Sequence, residues 1–463
     1  MTDHAAPPFD ALAWGQAWQQ TWAAGAWPGI AESRRAQRLA ALIERACGDL
    51  PFYRQRAHGP RLVDFAPVEK AELMRHFDDW ATDRRITRAG AAAFLADPSH
   101  IADAWLGDYL LWTSSGTSGV PGWFVQDAQS LAAYDAIDAL RLRGAATFQS
   151  QLGTWGLGQR FAYVGASGGH FAGVVSMERL RRIVPPPWRP ELQVLSVQQP
   201  LTAIAAALQA LQPTVLITYP SCAAALAQRQ QAGALHLRLA EVWLGGEQLS
   251  ALQRRQIEAG FGAPLRNGYG ASECYSIAWE GAHGALHVND DWVILEAVDA
   301  QMRPVPAGTL SSAALLTNLA NATQPLIRYR LEDRVRVLPT PCRCGNAFTA
   351  IEVQGRSADT LRLHDARGRP VVILPLALET AIEEAAGVTQ FQLIARPDGA
   401  LELRLEAGVP EPRTAFEACR GAIVAFLAEH GVAPLRLRFS HAAPVHTGAG
   451  GKLRRVISAP ARS

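Results

Sequence analysis

The chain lacks both a strong net charge and a long apolar run. Its 463 residues carry a formal net charge of +2, whereas electrostatic binding of nucleic acid or of a membrane surface needs a concentrated basic face. No run of about eighteen uninterrupted apolar residues occurs, which is the length that a membrane-spanning helix requires. We therefore expect neither nucleic acid nor membrane among the partners.

Cysteine is also scarce. Six cysteines in a chain of this length do not form the dense framework of a disulfide-stapled secreted protein. Cys47, Cys222, Cys274 and Cys419 are scattered along the chain. The N-terminal stretch MTDHAAPPFDALAWGQAWQQ lacks the basic-then-apolar pattern of a secretory signal peptide. The expected location is therefore cytoplasmic.

The residues that are present describe a large globular protein. The composition is 49% hydrophobic and 19% charged, and the length favours more than one domain. Apolar residues at spacings near four predict helices over residues 1–100. Between 105 and 355, the runs FAYVGAS, TVLITYP, AEVWLGGE and APLRNGYG alternate with helical segments. This pattern predicts an α/β domain of parallel-rich sheets layered with helices, with ligand sites at the carboxyl ends of strands.

A different pattern begins at residue 356. The alternating runs FQLIAR, LELRLEAG and LRLRFS, together with the helical period of EPRTAFEACRGAIVAFLAEHG, predict a small α+β domain over 356–463. We therefore divide the chain into an N-terminal domain, 1–355, and this C-terminal domain. Near its end, the glycine-rich stretch HTGAGGKLRRVI carries Lys452.

Two stretches combine glycine with polar side chains at predicted strand ends. TSSGTSGVP at 113–121 offers hydroxyl and backbone N–H donors to an anion, or else fills a tight turn; it lacks the order of a Walker loop. NGYGASE at 267–273 places a tyrosine, a serine and Glu273 together. The carboxylate suits Mg²⁺, and the alternative is a turn with a solvated glutamate.

The motifs resemble those of a known superfamily. SSGTSGVP, PSCAAAL, LGGE, YGASE, IRYRLED, GRS and GGKLRRV occur in the order and approximate spacing of the adenylate-forming ligases. FYRQR, VEKAEL and FAYVGASGGHFAG are similar to the phenylacetate–CoA ligase branch. The resemblance covers nearly the whole chain. It implies a large α/β domain and a small mobile α+β domain. It also implies ATP-dependent activation of an aromatic carboxylic acid to an acyl-adenylate, followed by transfer to the thiol of coenzyme A.

The resemblance implies roles for individual residues. Catalysis falls to Lys452, which would bridge the carboxylate and the α-phosphate, to Ser272 at the α-phosphate, and to Glu273 as the Mg²⁺ ligand. In ATP binding, residues 114–119 would hold the β- and γ-phosphates, residues 245–247 and Tyr269 the adenine, and Asp333 the ribose, with Arg356 nearby. The implied ATP-binding residues are Ser114, Ser115, Gly116, Thr117, Ser118, Gly119, Gly245, Gly246, Glu247, Tyr269, Gly270, Asp333 and Arg356.

The pocket for the acid is expected around two further segments, with Gly168, Gly169, His170, Tyr219 and Ser221 as its candidate residues. His170 is either a contact of the acid or a hydrogen-bonded packing residue. The branch contains many dimers, so a homodimer is a candidate assembly.

The chain departs from the superfamily pattern at three places. Val120–Pro121–Gly122 leaves the glycine-rich loop without the lysine that many relatives carry there. Ala358 stands where the hinge residue is commonly aspartate, and Leu331–Glu332 replaces the usual Thr-Gly before Asp333. The missing lysine affects how the loop would bind pyrophosphate, and the change at 358 affects how the C-terminal domain would rotate.

Zinc is a separate expectation. Some relatives bind Zn²⁺ through a histidine and cysteines, and His287, Cys342 and Cys344 match three of these ligands. The fourth position falls on Gly281, with Cys274 as a substitute if the fold brings it near. A tetrahedral structural site needs four ligands, so two reduced cysteines in a turn remain the alternative.

Other functions stay open on the sequence alone. Gly165, Ser167 and Gly169 fit the G-x-S-x-G pattern of a serine hydrolase, although that reading leaves the other motifs unexplained. A non-catalytic acyl or nucleotide sensor on the same fold is a second alternative. Within the ligase reading, the acceptor could be a carrier-protein thiol, an amine or an alcohol.

Overall fold

The structure is a computed structural model. It describes residues 5–114, 121–142, 159–186, 188–197, 199–356, 361–373, 375–388, 390–406, 409, 411–447 and 452–457. None of the helices in these ranges combines the length and the apolar character that a membrane span requires.

Twelve α-helices are described. In chain order they are α1 Ala11–Ala26, α2 Pro28–Asp49, α3 Pro51–Arg54, α4 Lys70–Arg75, α5 Arg88–Leu95, α6 Ala128–Ile137, α7 Ala172–Ile183, α8 Leu201–Leu211, α9 Pro220–Gln231, α10 Ala251–Phe261, α11 Pro375–Ala386 and α12 Pro412–Glu429. A π-helical turn, Asp138–Leu142, continues α6.

The described strands follow the same numbering. They are β1 Leu110–Thr113, β2 Trp123–Gln126, β3 Arg160–Gly165, β4 Glu191–Ser196, β5 Val215–Thr218, β6 Glu241–Leu244, β7 Leu265–Ala271, β8 Cys274–Glu280, β9 Leu286–Val288, β10 Val293–Val298, β11 Ala313–Asn318, β12 Leu326–Leu331, β13 Asp333–Val337, β14 Ala350–Arg356, β15 Leu361–His364, β16 Pro370–Ile373, β17 Phe391–Ala395, β18 Leu401–Leu405, β19 Leu437–Ser440, β20 His446–Thr447, β21 Lys452–Leu453 and β22 Val456–Ile457.

A nine-stranded mixed sheet organises the first 356 residues. Its strand order is β13-β14-β9-β8-β7-β6-β5-β3-β4. The β4, β3, β5, β6 and β7 strands are parallel neighbours, joined through registers such as Ile217↔Trp243. From β7 onward the neighbours are antiparallel. The sheet therefore changes direction at β7, beside the segment NGYGASE.

The α/β expectation is confirmed, with one difference. The predicted strands at FAYVGAS, TVLITYP, AEVWLGGE and APLRNGYG are β3, β5, β6 and β7, and the chain before β1 is helical. The parallel pattern, however, covers only half of the nine-stranded sheet, and β10, β11 and β12 form a separate antiparallel sheet. A hairpin explains the change, because β7 returns at once as β8 and Ala271 pairs with Cys274 across the turn.

Separate apolar cores support the two parts of the chain. The largest cluster joins the N-terminal helices to the sheets and includes Trp80, Trp112 and Phe124. A second lies between β5, β6 and their helices, where Ala223, Ala224 and Ala227 are fully buried. Another cluster draws only on residues 361–456 and packs α11 and α12 on the four-stranded sheet β19-β18-β17-β22.

Candidate active site

A cavity of about 700 Å³ opens at the carboxyl ends of β6 and β7. The first part of the chain supplies most of its wall, and Glu379 and residues 453–456 of the second part complete it. The predicted site residues in its lining are Ser114, Ser221, Gly246, Glu247, Tyr269, Gly270, Ser272, Glu273 and Asp333. The structure therefore brings together residues that lie more than two hundred positions apart.

The end of β6 positions Glu247. Gly246 has a φ of +77°, a conformation that side chains disfavour, and this turn directs Glu247 toward the C-terminal part of the chain. The two carboxylate oxygens accept from the backbone N–H of Leu453 at 3.2 Å and of Ser221 at 3.1 Å. The Ser221 carbonyl in turn accepts from Gln390 Nε2 at 2.8 Å. Glu247 thus links the two parts of the chain.

A bulge near the end of β7 positions Tyr269 and Asp333. The register between β7 and β8 shifts between Tyr269 and Ala271, and a Cβ on Gly270 would lie 2.0 Å from the Tyr275 carbonyl oxygen. Only glycine fits there. The Tyr269 hydroxyl donates to Asp333 Oδ2 at 2.9 Å. Asp333 begins β13 and is the register partner of Arg356.

The turn between β7 and β8 consists of Ser272 and Glu273. The Ser272 hydroxyl donates to the Thr113 carbonyl at 3.1 Å, which joins this turn to the end of β1. Glu273 is buried, and its Oε1 accepts from the Tyr329 hydroxyl at 2.8 Å. Lys70 Nζ lies 3.9 Å from the same oxygen. These partners fix the position of the carboxylate in the cavity wall, where it could serve as a cation ligand.

Several predicted residues lie at or beyond the limits of the described chain. Ser114 is described, and its hydroxyl accepts from the Gly122 N–H at 2.8 Å. Ser115, Gly116, Thr117, Ser118 and Gly119 lie outside the described residues. Lys452 has its backbone in β21, opposite Thr447, and the next residue, Leu453, lines the cavity.

A second cavity of about 230 Å³ adjoins the first. Both cavities are lined by Gly246 and by residues 268–272, so they meet beside Ser272. Six aromatic residues, including Tyr269 of the shared segment, contribute to the wall of the second cavity, which we call the aromatic cavity. Its aromatic residues beyond the shared segment are Tyr163, Phe171, Tyr219, Trp243 and Tyr275. The π-helical turn after α6 adds Asp138 and Leu142.

Three residues expected around the acid lie elsewhere. Gly168, Gly169 and His170 line neither cavity. The His170 ring is buried against Phe94, with centroids 5.5 Å apart, and its Nε2 lies 3.4 Å from the Asp97 carbonyl oxygen. Burial lowers the pKa of this imidazole. His170 is therefore placed as a packing residue, and Tyr219 as a wall of the aromatic cavity.

A third group of residues has the chemistry of a metal site. The ligand atoms of His287, Cys342 and Cys344 lie within 4.8 Å of one another, and Cys344 Sγ is 3.3 Å from His287 Nε2. His287 Nδ1 lies 3.2 Å from the Phe348 carbonyl oxygen. That carbonyl requires the proton on Nδ1, which leaves the Nε2 lone pair facing the thiols, as a zinc ligand requires.

Neither Cys274 nor position 281 supplies a fourth ligand to this cluster. Cys274 does not belong to the cluster; it is buried in the core, where burial raises the pKa of its thiol to about 12. At Gly281, a Cβ would lie 2.8 Å from the His287 ring. The imidazole thus occupies the space that a side chain at 281 would need, and the described part of the chain offers three ligands in this cluster.

The sequence is similar to that of a characterised enzyme. No family model matches the chain. It is 27% identical to the phenylacetate-coenzyme A ligase of Thermus thermophilus over 280 aligned positions, which cover 54% of this chain and 61% of the relative. The match therefore spans about three-fifths of the relative's length.

The fold is similar to that of solved ligases. The crystal structure of 2-hydroxyisobutyryl-CoA ligase with 2-HIB-AMP, in the postadenylation state, superposes with a TM-score of 0.67 at 19% identity and covers 93% of this chain and 90% of its own. The chain has the fold of the adenylate-forming acyl-CoA ligases. The thioesterification state of that ligase, with 2-HIB-AMP and CoA, gives a TM-score of 0.53 at 21% identity, with 92% and 89% covered. The superfamily resemblance expected from the motifs is confirmed.

Sequence reasoning missed two contacts of Glu273 and most of the aromatic cavity. Tyr329 lies within the motif IRYRLED and Lys70 within VEKAEL, but the motifs themselves assign no role to either residue. Trp243 and Tyr275 carry the ordinary signal of buried strand residues. No pattern in the sequence separates an aromatic side chain that lines a cavity from one that fills a core.

The two bonds to Glu247 predict the effect of a neutral variant. In Glu247→Gln the amide retains one acceptor oxygen and turns an NH₂ group toward the second N–H. We expect the Leu453 amide to exchange with deuterium about five- to tenfold faster, as the loss of one hydrogen bond predicts. Hydrogen-exchange mass spectrometry of the peptide covering 452–457 measures this. Glu258→Gln, on the exposed side of α10, is the matched control, and equal exchange in both variants would contradict the link.

Proposed function

We propose that the protein activates an aromatic carboxylic acid with ATP to an acyl-adenylate and transfers the acyl group to coenzyme A. One observation carries the proposal: the large polar cavity and the small aromatic cavity meet beside Ser272. A nucleotide in the first and an aromatic acid in the second would bring the α-phosphate and the carboxylate together at that serine.

The charges around the junction support this chemistry. A carboxylate attacking the α-phosphate brings two anions together, and the phosphorus gathers further negative charge in the transition state. Glu273 would hold Mg²⁺, which lowers this repulsion when it is bound. Asp333 would accept from the ribose hydroxyls, beside Tyr269. Ser114 would donate to a phosphate oxygen, and Ser272 would do so by turning its hydroxyl proton away from the Thr113 carbonyl.

The acceptor and the acid are supported by two different observations. The similar sequence from Thermus thermophilus and the 2-hydroxyisobutyryl enzyme are both CoA ligases by name, which favours coenzyme A. The aromatic residues of the wall and the volume of about 230 Å³ favour an acid that carries one aromatic ring or two fused rings. The name of the Thermus thermophilus enzyme gives phenylacetate, an acid with one aromatic ring, as its substrate.

The division into domains 1–355 and 356–463 is part of the proposal, with Lys452 as the mobile cation. Support comes from the separate apolar core of residues 361–456 and from the position of Leu453 against Glu247. A lysine delivered on a short glycine-flanked segment can bridge carboxylate and phosphate in the first step and leave before the thiol enters.

The direct test is mass spectrometry after mixing the protein with Mg–ATP and benzoic, anthranilic, phenylacetic or indole acids, with and without CoA. We expect an aryl-AMP that becomes an aryl-CoA when CoA is added. An adenylate that persists with CoA would move the acceptor to a carrier thiol, an amine or an alcohol. Hydrolysis of aryl esters without ATP would favour the serine hydrolase, and nucleotide binding without adenylate would favour the sensor.

The role of Lys452 predicts a split between the two half-reactions. Lys452→Ala removes the cation at the developing charge, so adenylation should fall about 10²- to 10³-fold. Attack of CoA on pre-made acyl-adenylate should stay within about threefold, because the lysine leaves the site before the thiol enters. Arg438→Ala, an exposed cation on β19, is the control. Equal losses in both half-reactions would contradict the assignment.

We also propose that His287, Cys342 and Cys344 hold Zn²⁺, with a non-protein fourth ligand. The ligand spacing and the orientation of His287 support the fit. The metal would supply a structural cross-link between β9 and the turn at 342–344.

Metal analysis tests the zinc site. After the protein is prepared with zinc and the unbound zinc is removed, metal analysis should find about one zinc ion per chain. The Cys344→Ser variant should lose most of this zinc. Cys47→Ser, on α2, is the control. The bound metal should also protect Cys342 and Cys344 from a thiol reagent, until a chelator is added. Retention of zinc in Cys344→Ser, or no zinc in the parent protein, would contradict the proposal.

A further inference from the structure

Lysine is almost absent from this chain. Among 44 lysine and arginine residues only two are lysines, Lys70 and Lys452. Arginine supplies the cation even at exposed ion pairs such as Arg303 with Asp299. Lys70 lines the large cavity, and Lys452 directly precedes Leu453, which also lines it. An ammonium group differs from a guanidinium in its compactness and flexible stem. One lysine in the cavity wall and the other next in sequence to a wall residue therefore indicate a functional requirement for an ammonium group here.

The fold fixes Lys70 beside Glu273. The Val68 N–H donates to the Arg328 carbonyl at 3.1 Å, and the Val68 carbonyl accepts from the Arg330 N–H at 2.9 Å. This bridge aligns Val68 with Tyr329, the residue whose hydroxyl donates to Glu273. Lys70 follows as the first residue of α4, with 17% of its side chain exposed and its Nζ 3.9 Å from Glu273 Oε1.

Two other cations of the cavity wall, which also includes Arg255 and Arg454, have carboxylate partners of their own. Arg254 pairs with Glu280, and Arg455 is buried between Glu379 and Glu383. Lys70 differs because its partner is the carboxylate proposed for Mg²⁺. When Glu273 binds a cation, its negative charge is neutralised and its attraction for the Lys70 ammonium falls. A lysine stem is long enough to turn the three N–H donors toward an anion at the same place.

We propose that Lys70 binds the β- and γ-phosphates of ATP during adenylation, in partnership with Glu273. The proposal rests on the proposed function, because only adenylation needs the phosphate chain. Two observations support it: the position of Lys70 in the cavity wall with Ser114, and the run Val120–Pro121–Gly122, which gives the glycine-rich loop no cation at its end. The consequence is selectivity, since AMP and an acyl-adenylate lack the groups that Lys70 binds.

Nucleotide binding tests the proposal without any turnover. Calorimetry compares ATP with AMP, each with Mg²⁺, on the wild-type chain, Lys70→Ala, Lys70→Arg and the control Arg75→Ala. Arg75 ends the same helix and is exposed. In Lys70→Ala we expect ATP affinity to fall at least about tenfold, as for a lost charge-assisted hydrogen bond, with AMP affinity within about twofold. Lys70→Arg should lie between, and Arg75→Ala should match the wild type.

The outcomes separate this proposal from the proposed function. Equal losses for ATP and AMP in Lys70→Ala would overturn it and leave Lys70 as a positioning partner of Glu273. Unchanged affinity for both nucleotides would overturn it as well. A wild-type chain that binds no ATP would instead overturn the proposed function.

The scarcity of lysine allows a second test on the wild-type chain. In an acyl-phosphate derivative of ATP, a nearby ε-amine attacks the acyl carbonyl, an amide C–N bond forms, the acyl–oxygen bond breaks and ATP leaves, while the amine proton passes to solvent. With only two ε-amines in the chain, peptide mass spectrometry locates the acyl group directly. We expect the label on Lys70 and its suppression by excess ATP. Label on Lys452 alone would overturn the proposal.

Discussion

The arrangement of the site depends on one constraint, which is that parallel strands of a sheet end at the same edge. The β5, β6 and β7 strands are adjacent and parallel, so the segments that follow them converge there. The β7 strand then turns back at once through Ser272 and Glu273 into β8. This reversal places a serine and a carboxylate at the border between the parallel and antiparallel halves of the sheet, where the polar and the aromatic cavities meet.

The site gathers carboxylates that the fold holds in place by specific donors. Glu273 accepts from Tyr329, Asp333 from Tyr269, and Glu247 from the backbone of Leu453. Each donor fixes a direction and leaves oxygen lone pairs for another partner. The cavity is thus prepared for groups that bring positive charge or hydroxyl donors, such as a hydrated divalent cation or a ribose. Glu247 adds a mechanical role, since it joins the two parts of the chain at the cavity.

The sequence predicts local order well and distant contacts poorly. The β3, β5, β6 and β7 strands follow from apolar runs that end at glycine, and Tyr269 and Ser272 lie at the cavity because β7 ends there. Asp333 begins β13, in the antiparallel half of the sheet, and reaches the same cavity from there. The antiparallel half of the sheet could not be predicted, because a strand's own residues do not identify its partner. His170 shows the same limit: its neighbours Phe94 and Asp97 come from a different helix and turn. The sequence places Lys70 in a motif but does not predict its proximity to Glu273, which depends on the bridge between Val68 and β12.

The central claim is that one ligand can occupy both cavities through Ser272. An acylsulfamoyl adenosine, which is a stable analogue of an acyl-adenylate, tests it by calorimetry against AMP. With a phenylacetyl or benzoyl group, we expect affinity at least about a hundredfold above that of AMP, because the linked groups bind in a single association. The acetyl analogue, which leaves the aromatic cavity empty, should gain far less. Equal affinities for the aryl analogue, the acetyl analogue and AMP would contradict the account.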